Sequence, residues 1–382
     1  MNEDLKEKLD RVGIEIPKIL LPKNGVDLNK WAVVACDQFT SEPEYWKRVE
    51  KYVGDSPSTL KITLPEVYLE SFDKNERINK INTTMKEYLD GGILEEKFEG
   101  MVLVERELPN KNGEHTSPSR QKRRGLILTL DLEKYEYTKG SKTLIRATEG
   151  TVESRIPPRL EIRKNALVEL PHIMVLIDDP GKTVIEPAHS FAVKAGRPIY
   201  DFELMMGGGQ IKGWKITDEK IIENMADSLE KLISADGFLF AMGDGNHSLA
   251  TAKAHWNNLK QKLSEKEKET HPARFAMVEV VNVHDEGIQF EPIHRVIMKN
   301  NQSPMTDEQL EKIKNYIKGS GREIEIVTNK SREKIQIKEM GSNLVVGNLQ
   351  ILLDKYIEEN PEIKIDYIHG RVAVEKIVKE KG

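Results

Sequence analysis

The turn Gly243–Ser248, with the sequence Gly-Asp-Gly-Asn-His-Ser, carries a carboxylate, an amide, an imidazole and a hydroxyl on adjacent residues. The apolar run Gly237–Met242 before it predicts a buried strand, and the helix formers Leu249–Trp256 after it predict a helix. Glycines permit a sharp turn and a close ligand, and the first N–H groups of a helix bind anions. The sequence therefore predicts a phosphate or carboxylate site at this central turn. The alternative is a plain turn in which Asn246 or Ser248 caps the helix.

A second polar stretch, Leu144 to Lys164, places four arginines, three glutamates and several hydroxyls among a glycine and two prolines. A guanidinium group offers a rigid fork that matches the oxygens of phosphate or carboxylate. The alternative is a salt-bridged surface loop, which charge runs usually form. The apolar segments on either side count against that alternative. The residues of this stretch predicted to contact an anion are Arg146, Glu149, Ser154, Arg155 and Arg159.

Further candidate groups are dispersed along the chain. Asp37, Glu42 and Asp244 are candidates for a general base or for holding Mg²⁺, each weighed against a capping or surface role. Phosphoryl transfer needs mainly positioning, charge neutralisation and one group that accepts a proton. The combined set therefore predicts a small phosphorylated or carboxylated ligand. The remaining candidate ligand groups are His189 and Ser190, expected after a hairpin-like turn, and His294 and Arg295, expected in extended surroundings.

Composition excludes several classes of protein. The single cysteine, Cys36, excludes an intrachain disulfide and any multi-cysteine metal site. The scattered histidines disfavour a zinc hydrolase, and the chain lacks the Gly-x-Ser-x-Gly motif of acyl-transfer serines. The net charge of −5 gives no support for nucleic-acid binding. Because no segment has the length of a membrane span and the charged N-terminus lacks an apolar signal core, we expect a cytoplasmic protein.

The elements that position these groups follow from apolar patterning. Ala32–Cys36 predicts a short strand, and Glu42–Val49 a helix with Pro43 in its first turn. Gly100–Glu107 and Gly125–Asp131 predict two paired strands. Asp218 to Ser234 has apolar residues at helical spacing and predicts an amphipathic helix that leads into the central turn.

Several stretches together resemble a bacterial and archaeal family called domain of unknown function one thousand and fifteen, whose members are often labelled SpoOJ/ParA/ParB/RepB-like. They run in order through nearly the whole chain, which indicates membership of the family. The stretches are Ala32–Gln38, Arg146–Arg163, Gly243–Ser248 with the following Ala250–Ala252, Pro292–Arg295 and Tyr367–His369.

The central turn is also similar to the Asp-Gly-His-His-Arg motif of ParB-fold free serine kinases, and to phosphate-binding turns of sulfiredoxin and ParB. Asp244, Gly245 and His247 match the kinase motif, whereas Asn246 replaces its first histidine and Ser248 its arginine. Loss of that guanidinium means that a nucleotide donor would need another cation. A pocket rich in arginine would equally suit pyrophosphate. The candidate replacements are Arg146, Arg155, Arg159 and Arg295.

The resemblance implies a small-molecule kinase that converts free L-serine to O-phospho-L-serine, with ATP, ADP or pyrophosphate as donor and Mg²⁺ as cofactor. Asp244 and His247 would position the donor phosphates and the ion, and Asp37 or Glu42 would accept the hydroxyl proton. The implied partners are the small-molecule substrate and the phosphate donor, without nucleic acid or membrane, and a homo-oligomer is left open. Two alternatives use the same turn: a ParB-like nucleotide-binding regulator without catalysis, and a phosphate-ester hydrolase acting on phosphoserine.

The predicted fold is α/β of the mixed α+β kind. The resemblance implies a ParB/sulfiredoxin-like core with additions at both ends. The predicted division is an N-terminal α/β portion at residues 1–98, a core with the central turn at residues 99–300, and a C-terminal α/β tail at residues 301–382.

Overall fold

The computed structural model describes residues 2–40, 42–108, 121–138, 140–148, 151, 153–288, 293–299, 303–342, 344–369 and 371–381. Backbone contacts divide the chain into two compact units, residues 1–288 and 289–382. The division into three portions stays a prediction. Within the described ranges, no helix is both long enough and apolar enough to cross a membrane.

The helices of the described residues occur in both units. They are α1 (Glu3–Arg11), α2 (Leu28–Trp31), α3 (Pro43–Val53), α4 (Lys74–Asp90), α5 (Ile156–Arg163), α6 (Ile185–Ala195), α7 (Glu219–Leu232), α8 (Asn246–Lys260), α9 (Glu265–Thr270), α10 (Asp307–Ile317), α11 (Val345–Glu359) and α12 (Arg371–Lys381).

The strands lie in both units. They are β1 (Ile14–Glu15), β2 (Lys18–Pro22), β3 (Leu94–Glu99), β4 (Met101–Glu107), β5 (Lys122–Asp131), β6 (Tyr135–Glu136), β7 (Ile145–Arg146), β8 (Ile173–Ile177), β9 (Tyr200–Glu203), β10 (Gln210–Ile216), β11 (Phe240–Asp244), β12 (Phe275–Asn282), β13 (Ile293–Lys299), β14 (Lys318–Val327), β15 (Arg332–Ile337) and β16 (Ile363–His369).

A ten-stranded mixed sheet forms the centre of the first unit. Its strand order is β6-β7-β11-β8-β12-β5-β4-β10-β9, and β1 also pairs with β5. The pairs β6–β7, β7–β11 and β8–β12 are parallel, and the other pairs are antiparallel. The α/β prediction is therefore confirmed as a mixed α and β fold, and the predicted pairing of β4 with β5 is confirmed.

Alternation along the central strands separates two faces of this sheet. On β5, Leu126, Leu128 and Leu130 are fully buried in the main core, which also includes residues of α7 and α8. Burying each leucine contributes roughly 1.5–3 kcal/mol. Ile127 points to the opposite face, because side chains alternate along a strand. That opposite face is called the second face, and part of it packs against the antiparallel pair of β2 and β3 through Ile19.

The second unit has its own smaller core. β13 pairs antiparallel with β16, and β14 pairs antiparallel with β15. Ile313 and Ile317 of α10, Leu352 and Leu353 of α11, and Ile337 of β15 are buried together. This unit therefore contains both helices and strands, as predicted for the tail at residues 301–382.

Two local predictions for the N-terminal part have opposite outcomes. The helix predicted at Glu42–Val49 is confirmed as α3. The strand predicted at Ala32–Cys36 is wrong, because other partners take its backbone groups. The Ala32 N–H donates to the Leu28 carbonyl (3.3 Å) and the Val33 N–H donates to the Thr59 hydroxyl (3.3 Å). The segment therefore runs beside α2 and α3 and ends in a turn at Cys36.

Helix α6 follows a buried carboxylate, Asp179, whose surface is 1% exposed. Asp179 Oδ2 accepts hydrogen bonds from the N–H groups of Thr183 (2.6 Å) and Val184 (3.0 Å), and Oδ1 accepts one from the Thr183 hydroxyl (3.2 Å). These bonds direct the chain into α6. The predicted hairpin-like turn before His189 is therefore wrong, and His189 lies within the helix.

We expect Asp179→Ala to lower the free energy of unfolding by about 2–3 kcal/mol, because it leaves buried donors without an acceptor. The matched control is Asp178→Ala. The Asp178 side chain is 83% exposed and bonds to His284, so its loss should change stability by less than about 0.5 kcal/mol. Urea unfolding followed by circular dichroism measures both. Equal losses for the two variants would contradict the role of Asp179.

Candidate functional site

The central turn has the strand, glycine turn and helix that the sequence predicts. β11 ends at Asp244, and α8 begins at Asn246 with Gly245 as its N-cap. Gly245 has φ of +81°, and a Cβ there would lie 3.2 Å from the Ile173 Cα, so both conformation and space favour glycine. The peptide dipoles of α8 place partial positive charge at the turn.

Two carboxylates meet beside this turn. Gln38 Nε2 donates long hydrogen bonds to Asp244 Oδ2 and to Asp37 Oδ1, each at 3.4 Å. Burial, and then the negative charge of Asp244, raise the pKa of Asp37. Phe39, with φ of +54°, stacks on Tyr45 at 3.8 Å between ring centroids and holds the loop that carries Asp37. Asp37 and Asp244 therefore form an electrostatically coupled pair.

His172 also reaches the turn, and no motif in the sequence indicated it. Its Nε2 lies 2.9 Å from the Ser248 hydroxyl, and its Nδ1 lies 3.3 Å from the Leu170 carbonyl. Burial lowers the pKa of His172, but a hydrogen bond with Cys36 and the charge of Asp37 outweigh burial and raise that pKa to about 10. The only sequence signal is its place directly before β8, the strand that pairs with β11.

Two arginines of the second polar stretch approach His247. Burial, and then the positive charges of Arg155 and Arg159, lower the pKa of His247 and favour its neutral form. Arg159 donates to both Glu66 carboxylate oxygens (2.7 and 2.5 Å) and to the Arg155 carbonyl (2.8 Å). The Glu66 N–H donates to the Cys36 carbonyl (2.8 Å), which connects these arginines with the loop of the carboxylate pair.

The arginines reach His247 because part of their stretch is helical. Residues 156–163 of this stretch form α5, so the alternative of a surface loop is wrong for them. Proline is favoured in the first turn of a helix, where its missing N–H has no intrahelical acceptor to lose, and Pro157 lies there. α5 packs against α8. Arg155 immediately precedes α5 and is exposed.

Arg146 has another partner and lies away from the turn. Its Nη1 donates to Asp236 Oδ2 (2.7 Å) and its Nη2 to the Asp236 carbonyl (2.8 Å), and its guanidinium covers the Phe238 ring at 4.9 Å. Arg146 is opposite Ala241 in the β7–β11 ladder, and its guanidinium is bound to residues that precede β11. The structure therefore does not place this guanidinium at the central turn.

His189 and Ser190 also lie elsewhere in the first unit. His189 Nε2 is 3.2 Å from Glu105 Oε2, and the imidazole meets the edge of Trp214. Glu105 belongs to β4, which is separated from β11 by β8, β12 and β5. The Ser190 hydroxyl donates to the Glu186 carbonyl (3.0 Å) within α6. Both residues therefore have structural partners away from the central turn.

The remaining predicted residues are Glu42 in the first unit and His294 and Arg295 in the second unit. Glu42 is exposed at the N-terminus of α3 and makes no side-chain cap bond. His294 and Arg295 belong to β13 of the second unit, where Arg295 Nε donates to Gln350 Oε1 (3.1 Å) and the guanidinium covers the ring of Tyr367. Two calls lie outside what the structure describes, namely the whole of Glu149 and the side chain of Ser154.

The turn offers few side chains that could bind a metal ion. Within the described part of the chain, no three His, Cys, Asp or Glu side chains form a group suited to a metal ion. Asp37 and Asp244 are the two carboxylates joined through Gln38 at the turn. The arrangement as a whole is a helix N-terminus near two carboxylates, two imidazoles and two guanidinium groups.

Residues 20–356 match the model of a family described as "Protein of unknown function (DUF1015)". This is the family that the sequence motifs indicate. No curated protein matches the chain, and no solved structure matches it.

The pKa values of the two imidazoles at the turn, His172 and His247, should be shifted in opposite directions from the usual value. The raised pKa of His172 means that its protonated form contributes stability below pH 6.5, and that this contribution is lost as the pH rises through about 10. The lowered pKa of His247 means that stability falls when the pH drops below its usual value of 6.5. Imidazole NMR of the folded protein measures both titrations.

Cys36→Ser should lower the pKa of His172, because it replaces the sulfur partner, and should leave the titration of His247 unchanged as the internal control. Titration of His172 below pH 6.5 in the unmodified chain would contradict the described cluster.

Proposed function

We propose that this chain, which belongs to the DUF1015 family, is a cytoplasmic phosphotransferase that phosphorylates the hydroxyl of free L-serine. One observation carries the proposal. The interacting carboxylates of Asp37 and Asp244 and the imidazole of His247 lie at the N-terminus of α8, and two arginine guanidinium groups lower the pKa of that imidazole in addition to burial. Phosphoryl transfer needs this combination of phosphate-binding cations, metal-binding anions and one proton acceptor. The mixed sheet and the strand–turn–helix also support a ParB/sulfiredoxin-like core.

The donor phosphates would lie at the start of α8. The helix dipole attracts them, and Arg155 adds an exposed guanidinium close enough to influence His247. Ser248 stands where the serine-kinase motif has an arginine, but His172 is hydrogen-bonded to Ser248 and supplies a cation there. Protonated His172 would thus supply the positive charge that the arginine of the motif provides and that this turn lacks. ATP, ADP and pyrophosphate each present a terminal phosphoryl group that fits this arrangement.

The carboxylate pair suits Mg²⁺. Mg²⁺ in phosphate sites is usually held by one or two carboxylates, with phosphate oxygens and water completing the shell. Asp37 and Asp244 would supply those carboxylates, and a cation would relieve the repulsion between them, which adds to the effect of burial on the pKa of Asp37. When bound, the ion would neutralise charge on the donor phosphates.

The transfer itself is a displacement at phosphorus. The serine hydroxyl oxygen forms a bond to the terminal phosphorus while the bond from that phosphorus to the bridging oxygen breaks. The hydroxyl proton passes to Asp37, at the carboxylate oxygen that would not bind the ion. The donor leaves as ADP, AMP or phosphate. Neutral His247 orients the donor through hydrogen bonds.

The test uses purified full-length protein with L-serine, Mg²⁺ and, separately, ATP, ADP and pyrophosphate, with O-phosphoserine measured by mass spectrometry. We expect product with at least one donor. Asp37→Asn should lower kcat by roughly 10²–10⁴-fold, as expected for loss of a general base. Absence of product with all three donors would refute the proposal.

Glu42→Gln is the matched control, because Glu42 is an exposed carboxylate at the start of the neighbouring helix α3. It should retain the kcat of the unmodified chain. A large loss in Glu42→Gln with normal activity in Asp37→Asn would reverse the assignment of the base. Incubation with O-phosphoserine, Mg²⁺ and water separates a transferase from a hydrolase, which would release phosphate without any acceptor.

A further inference from the structure

A cluster of two guanidinium groups and one carboxylate lies on the second face of the sheet. Arg106 and Arg123 are direct partners in the β4–β5 ladder, so their side chains project from the same face about 5 Å apart at Cβ. Arg123 Nη2 donates to both carboxylate oxygens of Glu279 on β12, at 3.0 and 2.9 Å. The cluster therefore has two positive groups for one negative group.

Arg106 lacks a comparable anion. Its Nη2 donates to the Gly208 carbonyl (3.3 Å), and its buried Nε has no hydrogen-bond partner among the described residues. Burial, and then the positive charge of Arg123, lower the pKa of Arg106. The charge of Glu279 acts in the opposite direction, but Glu279 is already paired with Arg123. A partly buried guanidinium without an anion of its own is energetically unfavourable. An anionic ligand group at Arg106 would remove that cost.

The cluster is close to the carboxylate pair of the central turn. Asp244 is opposite Met174 in the β11–β8 ladder, and Met174 is opposite Glu279 in the β8–β12 ladder. Ladder partners project from the same face, and adjacent strands are roughly 4.8 Å apart, so Asp244 and Glu279 are separated by roughly 10 Å. Met174 projects from the same face between them.

The loop of the carboxylate pair also approaches the cluster. Gln38 bonds to Asp244, and the next residue, Phe39, stacks on Tyr45. The Tyr45 hydroxyl and Arg106 influence each other's charge. One continuous strip of the first unit therefore joins the proposed phosphoryl-transfer groups to the two arginines.

We propose that Arg106 and Arg123 bind the carboxylate, and Glu279 the ammonium group, of a small α-amino acid whose side-chain hydroxyl points toward Asp37. The net positive charge of the cluster matches a carboxylate, and its single carboxylate matches an ammonium group. This inference rests on the proposed function and assigns the acceptor-binding residues that the central turn does not supply.

The first experiment measures ligand binding to the full-length protein by calorimetry, with Mg²⁺ and both with and without methylenediphosphonate. The ligands are L-serine, ethanolamine, which lacks the carboxylate, and 3-hydroxypropionate, which lacks the ammonium group. We expect L-serine to bind at least about tenfold more tightly than either analogue, as expected for lost charged hydrogen bonds. Equal affinities, or no binding of L-serine in either condition, would overturn the proposal.

The second experiment repeats the L-serine titration with variants. Arg106→Gln should weaken L-serine binding at least about tenfold, and Arg106→Lys should also weaken it, because lysine lacks the guanidinium fork. Arg197→Gln is the matched control at an exposed arginine and should bind L-serine normally. Unchanged affinity in folded Arg106→Gln would refute the assignment. If circular dichroism shows that Arg106→Gln is unfolded, the Arg106→Lys variant and the comparison of the three ligands test the assignment instead.

The two proposals fail in different ways. O-phosphoserine formation with an unchanged KM for L-serine in Arg106→Gln would refute the amino-acid site and leave the proposed function intact. Arg106-dependent binding of L-serine without O-phosphoserine from any donor would refute the kinase and leave the amino-acid site intact.

Discussion

The antiparallel pairing of β11 with β8 is the constraint on which the proposed site depends. The register shifts between Met242 and Asp244, so that Met242 is buried in the main core while Asp244 lies opposite Met174 on the second face. Gly245 comes next and is the N-cap of α8. It passes so close to β8 that a Cβ added to it would lie 3.2 Å from the Ile173 Cα. The same pairing places His172, directly before β8, beside the first turn of α8. The pairing of these two strands thus determines the positions of the Asp244 carboxylate, the N-terminus of α8 and the His172 imidazole.

Several ionisable groups with shifted pKa values lie around this turn. Burial, and then the negative charge of Asp244, raise the pKa of Asp37. Burial, and then the positive charges of Arg155 and Arg159, lower the pKa of His247. Phe39 adds a left-handed backbone conformation in the loop that carries Asp37. Such conformations cost about 1–3 kcal/mol and cluster at functional sites. A bound metal would relieve the repulsion between the carboxylates, and a bound phosphate would relieve the repulsion between the cations. These features therefore support a site for a charged ligand.

Local pattern in the sequence predicted much of the fold and only part of the site. Apolar alternation and glycine placement predicted the central turn, because those signals lie within a few adjacent residues. His172 escaped prediction because its partner Ser248 is 76 residues away and meets it only through strand pairing. Arg146 and His189 were predicted as ligands from residue type alone, but each has a nearby partner, a carboxylate in Asp236 or Glu105, that the sequence does not connect with it.

The central claim is that the turn binds a phosphate-bearing donor together with a cation held by two carboxylates. Calorimetry with methylenediphosphonate, a donor analogue that resists transfer, tests this claim most directly when titrations with and without Mg²⁺ are compared. The account predicts that Mg²⁺ tightens binding in the unmodified chain, and that a variant carrying both Asp37→Asn and Asp244→Asn loses this dependence on Mg²⁺. No binding of the analogue, or the same Mg²⁺ dependence in the double variant, would contradict the account.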